Sequence, residues 1–333
     1  MASSFEKINY NLRPNKCIER KMMSEVLGRL SFIEDLDTYR YIGFGSPYFA
    51  DFILFHKNLG ITNLVSIEKE TSKSDRFDFN VPYSGITMKY GHSNTVLPNL
   101  ELGSKRNVVW LDYDDKVSDF MFSDINTFFS ESMAGSFFII SVNVEEESMK
   151  FSENNDEKQP TQKEFRLNQL IDRVGKQRLP NEIMEQNMNT KNLSNATYQM
   201  IIRQIETSLL NRNGKKKNTV DFMQVFNFSY KDNATILTVG GVLFDKSQRG
   251  AVKKMAFNKF PFYSDKDESY KIQCPNLTFR EIKALDKLLP SVLERKGLGF
   301  KNEAFNQIPL NITDVEKYAR VYRYYPNFTE ANL

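Results

Sequence analysis

Glycines occupy positions 43 and 45 of Tyr41-Ile-Gly-Phe-Gly-Ser46, between a short apolar run, Arg40–Gly43, and a helical one, Pro47–Leu59. Glycine permits a tight turn and lets a ligand approach the main chain, and a helix start offers that ligand free N–H groups. The next apolar run, Asn63–Glu68, ends in a carboxylate 23 positions after Gly45. That offset is close to the roughly 20 residues at which an acidic side chain meets the hydroxyls of a nucleotide ribose. The two features predict a nucleotide site built from Gly43, Phe44, Gly45, Ser46, Glu68 and Lys69. The plainer readings are a glycine turn that is only a turn and a Glu68 that is a solvated surface group.

Two further segments extend the candidate site. The run Gly85–Tyr90 leads into Gly91-His-Ser93 and then Leu97-Pro-Asn-Leu100, and the run Asn107–Asp112 leads into Tyr113-Asp-Asp-Lys116. Asp112 and Asp114 alternate where a strand emerges at the ligand-binding edge of a sheet, so both are candidates for work on a substrate. With Asn143 and Glu145 they offer an all-oxygen set of the kind that suits Mg²⁺, although a water-binding carboxylate rim is the simpler account and no metal is assigned. His92 is a candidate acid or base. His56, among Phe52, Ile53 and Leu59, reads as a packing residue. No Ser-His-Asp order, P-loop or zinc spacing occurs, which removes hydrolase, NTPase and zinc-enzyme classes.

These segments require a scaffold. The 333 residues carry 45 Lys and Arg against 42 Asp and Glu, a balance unlike that of a protein held to nucleic acid by bulk charge. No run approaches the ~18 apolar residues of a membrane span. The charged N-terminus, Met1–Lys21, is unlike a secretory signal, and Cys17 and Cys274 read as free thiols, so a cytoplasmic location is expected. Five apolar runs separated by helices, then two β-rich runs, Val220–Tyr230 and Thr235–Phe244, joined at Lys231-Asp-Asn-Ala234, predict a parallel α/β sheet closed by an antiparallel hairpin. The polar stretch from Glu145 to about Lys163 opens an insertion at 146–212 with helices near Glu164–Lys176 and Asn195–Leu210. The divisions expected are an N-terminal helical segment over 1–38, a Rossmann-like domain over 39–250, and a helical extension over 251–333. In the extension, Thr278-Phe-Arg-Glu281 and Thr313-Asp-Val-Glu316 both match the capping-box pattern, and the first of these helices should run to about Leu289-Pro290. The charge runs Arg13, Lys16, Arg20, Lys21 and Lys215–Lys217 read as solvated surface; converging at the sheet edge, they would instead form a rim for a phosphate-bearing acceptor such as a nucleotide or RNA.

The order of these pieces resembles the class I S-adenosylmethionine-dependent methyltransferases, over roughly Tyr39 to Asp245, and Leu111-Asp-Tyr-Asp-Asp-Lys116 is similar to the Asp-x-Asp-Lys loop of the O-methyltransferase-like members. The resemblance implies a Rossmann-like, seven-stranded mostly parallel sheet and S-adenosylmethionine as cofactor. It places Gly43 and Gly45 by the cofactor's amino-acid end, Glu68 at its ribose, His92 and Ser93 at its adenine edge, and Asp112 on the sulfonium or substrate side. Asp112, Asp114 and His92 are then the catalytic candidates, with O-methyl transfer to a small-molecule or phosphate-bearing acceptor. The insertion and N-terminal helix would form the acceptor side of the cleft, and the C-terminal helices would be open to a protein partner. The sequence departs from the family pattern where Tyr41 replaces an acidic residue and Tyr48 the third glycine, which keeps alive a second reading as a catalytically inactive nucleotide-binding or sensor subunit. The missing third glycine also speaks against an NAD(P)-dependent oxidoreductase, for which His92 is the proton donor available.

Overall fold

The computed structural model describes residues 12–148, 160–184, 186–215, 218–290 and 308–326. Lys216 and Lys217 of the basic run and positions 149–159 of the polar stretch lie outside them. Strands β1 (Arg40–Gly43), β2 (Asn63–Glu68), β3 (Ile86–Tyr90), β4 (Asn107–Lys116) and β5 (Phe137–Asn143) are parallel. The hairpin β6 (Val220–Lys231) and β7 (Thr235–Asp245) completes the sheet through β7, which runs antiparallel to β5. A further short strand, β8 (Tyr270–Lys271), pairs with Phe228 and Ser229 of β6, so among the described residues the sheet has eight strands against the seven expected. Their order is β3-β2-β1-β4-β5-β7-β6-β8.

Because successive strand residues point to opposite faces, a strand buried on both sides divides its side chains between two cores. Tyr41, Val108, Trp110, Phe137 and Ile139 face one layer, formed by α1 (Pro14–Leu27), α2 (Ala50–Leu59) and later α8 (Arg249–Met255). Ile42, Val109, Leu111, Phe138 and Ile140 face the other, where α5 (Asp119–Glu131) carries five apolar side chains inward from Met121 to Phe129. Between these come the short α3 (Ser74–Phe79) and α4 (Ser93–Val96). The insertion supplies α6 (Gln162–Val174) and α7 (Thr190–Asn213), whose buried residues, among them Leu170 and Ile201, join the α5 layer. Helix α6 starts at a capping box, Thr161 with Glu164.

In the extension, α9 (Phe279–Asp286) begins at the expected Thr278–Glu281 capping box and stops short of Leu289. Helix α10 (Ile312–Val321) is capped two residues before the box predicted at Thr313, because Asn311 Oδ1 accepts the Asp314 N–H at 2.8 Å. Among the described residues no helix is long and apolar enough to cross a membrane.

The hairpin packs against β5 at two adjacent glycines, Gly240 and Gly241. A Cβ on Gly241 would overlap the Met223 carbonyl oxygen of the neighbouring strand and come within 2.6 Å of the Phe222 ring. Backbone of a paired strand cannot move aside as a side-chain tip can, so Gly241→Ala is expected to destabilise the fold by about 1–3 kcal/mol, the range for overpacking a tight core. Urea denaturation checks this, and an unchanged midpoint would contradict the packing described.

Candidate active site at the tips of strands one to four

A cavity of about 390 Å³ opens at the carboxyl ends of β1, β2, β3 and β4. This is where the chain order of the sheet reverses direction, between β1 and β4, and where open α/β sheets leave a crevice between diverging loops. Phe44, Gly45 and Ser46 form one wall, Glu68, Lys69 and Glu70 a second, and Gly91, His92 and Ser93 a third. Asp112, Tyr113, Asp114, Asp115 and Phe120 close the fourth side, and Arg20, Ala50 and Asp51 reach it from α1 and α2.

The glycine turn is packed from within. Tyr41's hydroxyl and ring fill the space a Cβ on Gly43 would need, and Gly43 does not line the cavity. Gly45 does, but its Cβ would lie 2.6 Å from the Phe49 ring and 2.7 Å from Ser66 Oγ. The chain's own aromatic rings therefore require both glycines, a reason that spacing alone did not reveal. Gly45 N–H donates to Ser66 Oγ at 3.0 Å, which ties the turn to β2.

Tyr41 stands where the family pattern has an acid, and its hydroxyl donates to Asp51 Oδ2. A carboxylate thus reaches the cavity from the first turn of α2 instead. Burial raises the Asp51 pKa, against the opposing pull of Arg20 and of the Tyr41 hydroxyl. Asp51 did not figure among the sequence candidates, and Arg20 figured only as part of a basic run. The signal available was the cluster Arg13, Lys16, Arg20 and Lys21, read as solvated, yet Arg13, Lys16 and Arg20 are all buried. They do converge beneath the sheet edge, where ion pairs engage them: Lys16 with Glu19 and Asp112, Arg13 with Asp114 and Asp232. Lys21 Nζ donates to the Tyr325 carbonyl at 3.1 Å.

Glu68 projects from the tip of β2, and its Oε1 accepts the Glu70 N–H at 2.9 Å. Burial pushes its pKa up, opposed by the hydrogen bond from Glu70 and by Lys69. Lys69 extends to Asp115 at 2.9 Å, an exposed pair of small energetic weight. Opposite Glu68, rings form a chain: Phe44 to Tyr113 at 5.3 Å, Tyr113 to Phe120 at 5.6 Å and His92 to Phe120 at 5.2 Å. Tyr113 and Ser93 both donate to Asp124 Oδ2 at 2.5 Å, which fixes this side of the cavity to α5.

Alternation along β4 separates the three catalytic candidates. Asp112 and Asp114 follow Trp110 on the α1 face, whereas Tyr113 and the His92–Phe120 contact belong to the α5 face. Asp112 is held below the usual carboxylate range: burial acts to raise its pKa, but Lys16, then Arg20 and Arg13, outweigh it. A carboxylate so stabilised is a weak base and a strong counter-ion. The oxygen set considered for Mg²⁺ does not assemble, since Glu145 binds the Thr235 N–H at 2.8 Å and Lys231 Nζ at 2.7 Å while Asp112 takes Lys16. Among the described residues no group of acidic, histidine or cysteine side chains has the arrangement of a metal site. None of the insertion's described residues lines this cavity; Arg166, Arg173, Leu193 and Thr197 line a separate small cleft beside Lys116 and Glu145.

A family model described as "Putative O-methyltransferase" matches residues 8–333. No curated protein matches the sequence. Among solved structures, the chain is similar to Trm1 from Pyrococcus horikoshii in complex with S-adenosyl-L-methionine, with 10% identity and a TM-score of 0.42, over 75% of this chain and 60% of that one. It is also similar to the O-methyltransferase TomG from Streptomyces achromogenes in complex with SAM, with 12% identity and a TM-score of 0.35, over 67% of this chain and 80% of that one. The chain thus spans 60% of the length of Trm1.

The Glu68 pKa is raised in the folded state, so the native protein holds this proton more tightly than the unfolded chain does. Ionised Glu68 therefore weakens folding at neutral pH, and the penalty disappears as pH falls through the raised value. Glu68→Gln keeps an oxygen for the Glu70 N–H and removes the charge. Its melting temperature is expected to exceed that of the wild type at neutral pH and to converge with it in acid. A variant less stable than wild type at pH 7 would show that the carboxylate is structural.

Proposed function

This chain belongs to the O-methyltransferase family whose model spans it, and on that premise we propose that it is an S-adenosylmethionine-dependent methyltransferase acting on an oxygen acceptor. The observation that carries the proposal is Glu68, a desolvated carboxylate at the tip of β2 that lines, together with Phe44, Tyr113 and Phe120, a cavity of about 390 Å³. Buried acids are retained against folding stability where a ligand uses them.

The residues present fit this cofactor. Glu68 would accept from vicinal ribose hydroxyls. Phe44, Tyr113 and Phe120 offer aromatic surface to a purine, with His92 and Ser93 at its edge. Asp51 and Arg20 provide opposite charges for an amino-acid end that is itself zwitterionic. Among the described residues six carboxylates line the cavity, Asp51, Glu68, Glu70, Asp112, Asp114 and Asp115, against Arg20 and Lys69 in the lining and Lys16 and Arg13 paired to Asp112 and Asp114 from behind, an acidic balance that favours a cationic ligand. The cofactor supplies a methyl group made electrophilic by a sulfonium, so what remains for the protein is alignment and the exclusion of water. Asp112 stays ionised and balances positive charge. The same field disfavours a phosphate-bearing acceptor, RNA included, and points to a neutral or cationic small molecule. Residues 39–250 form the catalytic unit in this reading, with Arg20 of the N-terminal segment completing it.

Binding without turnover is favoured by one observation, the filling of the glycine turn by Tyr41 and Phe49. Isothermal titration calorimetry with S-adenosylmethionine and S-adenosylhomocysteine is expected to show binding of both, and Glu68→Ala to weaken it by about 1–3 kcal/mol, the scale of a hydrogen bond to a charged group. If the wild type binds neither, the proposal fails. If methyl transfer to a panel of hydroxylated acceptors is absent while binding persists, the binding-module reading replaces it.

A further inference from the structure

Behind Asp112, outside the cavity, lies a buried ionic network that the proposed chemistry does not use. The side chain of Lys16 is 1% exposed, with Nζ 2.6 Å from Asp112 Oδ1, 2.9 Å from Glu19 Oε2 and 4.4 Å from the centre of the Trp110 ring. Glu19 is fixed in turn: Tyr230 donates to its Oε2 at 3.0 Å and Thr238 Oγ1 to its Oε1 at 2.5 Å. Thr238 hydrogen-bonds Ser141 at 2.8 Å, and Trp110 Nε1 donates to Ser141 at 2.9 Å. Groups from α1, β4, β5, β6 and β7 thus determine where the Lys16 ammonium sits. Of its two carboxylate partners Asp112 lines the cavity, and Glu19 does not.

We propose that Lys16 is a positioning residue of the candidate site, anchoring the Asp112 carboxylate from behind the cavity wall and keeping it ionised toward a bound cationic ligand. The inference rests on the proposed reading for the identity of that ligand. The charged and titratable groups around Asp112 are Lys16 and Arg20 of α1, Arg13 just before it, Tyr41 of β1, Asp51 of α2 and Tyr230 of β6. Burial opposes ionisation of Asp112, whose charge in turn helps to raise the Asp51 pKa, and Lys16 is the cation in direct contact with Asp112. Removing the ammonium takes away the cation in direct contact while desolvation remains, so Asp112 takes up a proton at higher pH than in the wild type.

Lys16→Met keeps the stem length and removes the charge. The calorimetric affinity of Lys16→Met for S-adenosylmethionine is compared with that of the wild type at each pH across the acidic range, so that the titration of Glu68 and Asp51, common to both, cancels. Relative to wild type, the affinity of Lys16→Met is expected to fall about tenfold per pH unit below the Asp112 pKa of the variant. Asp112→Asn introduced into Lys16→Met should abolish that additional acid limb. A uniform loss of affinity in Lys16→Met, parallel to wild type at every pH, would mean that Lys16 only supports the fold, and would overturn the proposal. Should Lys16→Met fail to fold, the wild type carries the test without any ligand. The ¹³C carboxyl resonance of Asp112, assigned by difference from Asp112→Asn, is expected to show no titration through the ordinary carboxylate range. Titration at an ordinary value overturns the inference. Wild type that binds no S-adenosylmethionine but shows an ionised Asp112 defeats the functional reading and leaves the anchoring by Lys16 in place.

Discussion

A strand buried on both faces must send neighbouring side chains in opposite directions, and β4 is where that constraint organises the molecule. Val108 and Trp110 pack toward α1, and Val109 and Leu111 toward α5. Where the strand reaches the sheet edge the alternation continues in polar residues. Asp112 joins the cations of α1, and Tyr113 joins Ser93 in donating to Asp124. One side of the cavity thus becomes ionic and the other aromatic, without any further device.

The ionic side depends on α1. Burying a lysine and two carboxylates is unfavourable unless hydrogen bonds and opposite charges replace the lost water, and removing one member leaves the others uncompensated. Here Glu19 and Asp112 share one ammonium, with Tyr230 and Thr238 supplying donors to Glu19. This explains how a helix that buries Lys16 and Glu19 among apolar residues can sit against a sheet face: these polar positions are matched by partners, and Ile18, Met22, Met23, Val26 and Leu27 fill the rest. The same helix brings Arg20 to the cavity beside Asp51.

The cavity walls also hold charge that folding does not reward. Glu68 and Asp51 are both displaced toward protonation by burial, and the exposed Lys69–Asp115 pair returns little. Carboxylates kept under such conditions in a concave site are candidates for the recognition of a polar ligand, the role proposed above for Glu68.

Much of the scaffold was legible in the amino-acid order. The continuous apolar runs marked the five parallel strands, the Asp-Asn turn marked the hairpin, and the Thr278 box marked the start of α9, because these features depend on local periodicity and on hydrogen bonds a few residues long. Glu68 was legible for a related reason: the length of one strand–helix–strand unit fixes where the second strand ends. Asp51, Arg20 and Lys16 were not. Their roles depend on a helix from the N-terminus lying across strands that the chain forms only later, and on Tyr41 filling the place where a ligand was expected beside Gly43. A run of basic residues in the sequence says nothing about which carboxylates will lie beneath it. The sequence determined the strands, the turn and the acid at the tip of β2; the tertiary structure alone decided which charges meet, because Coulomb and desolvation terms depend on distance through space and on burial, which neighbours along the chain do not define.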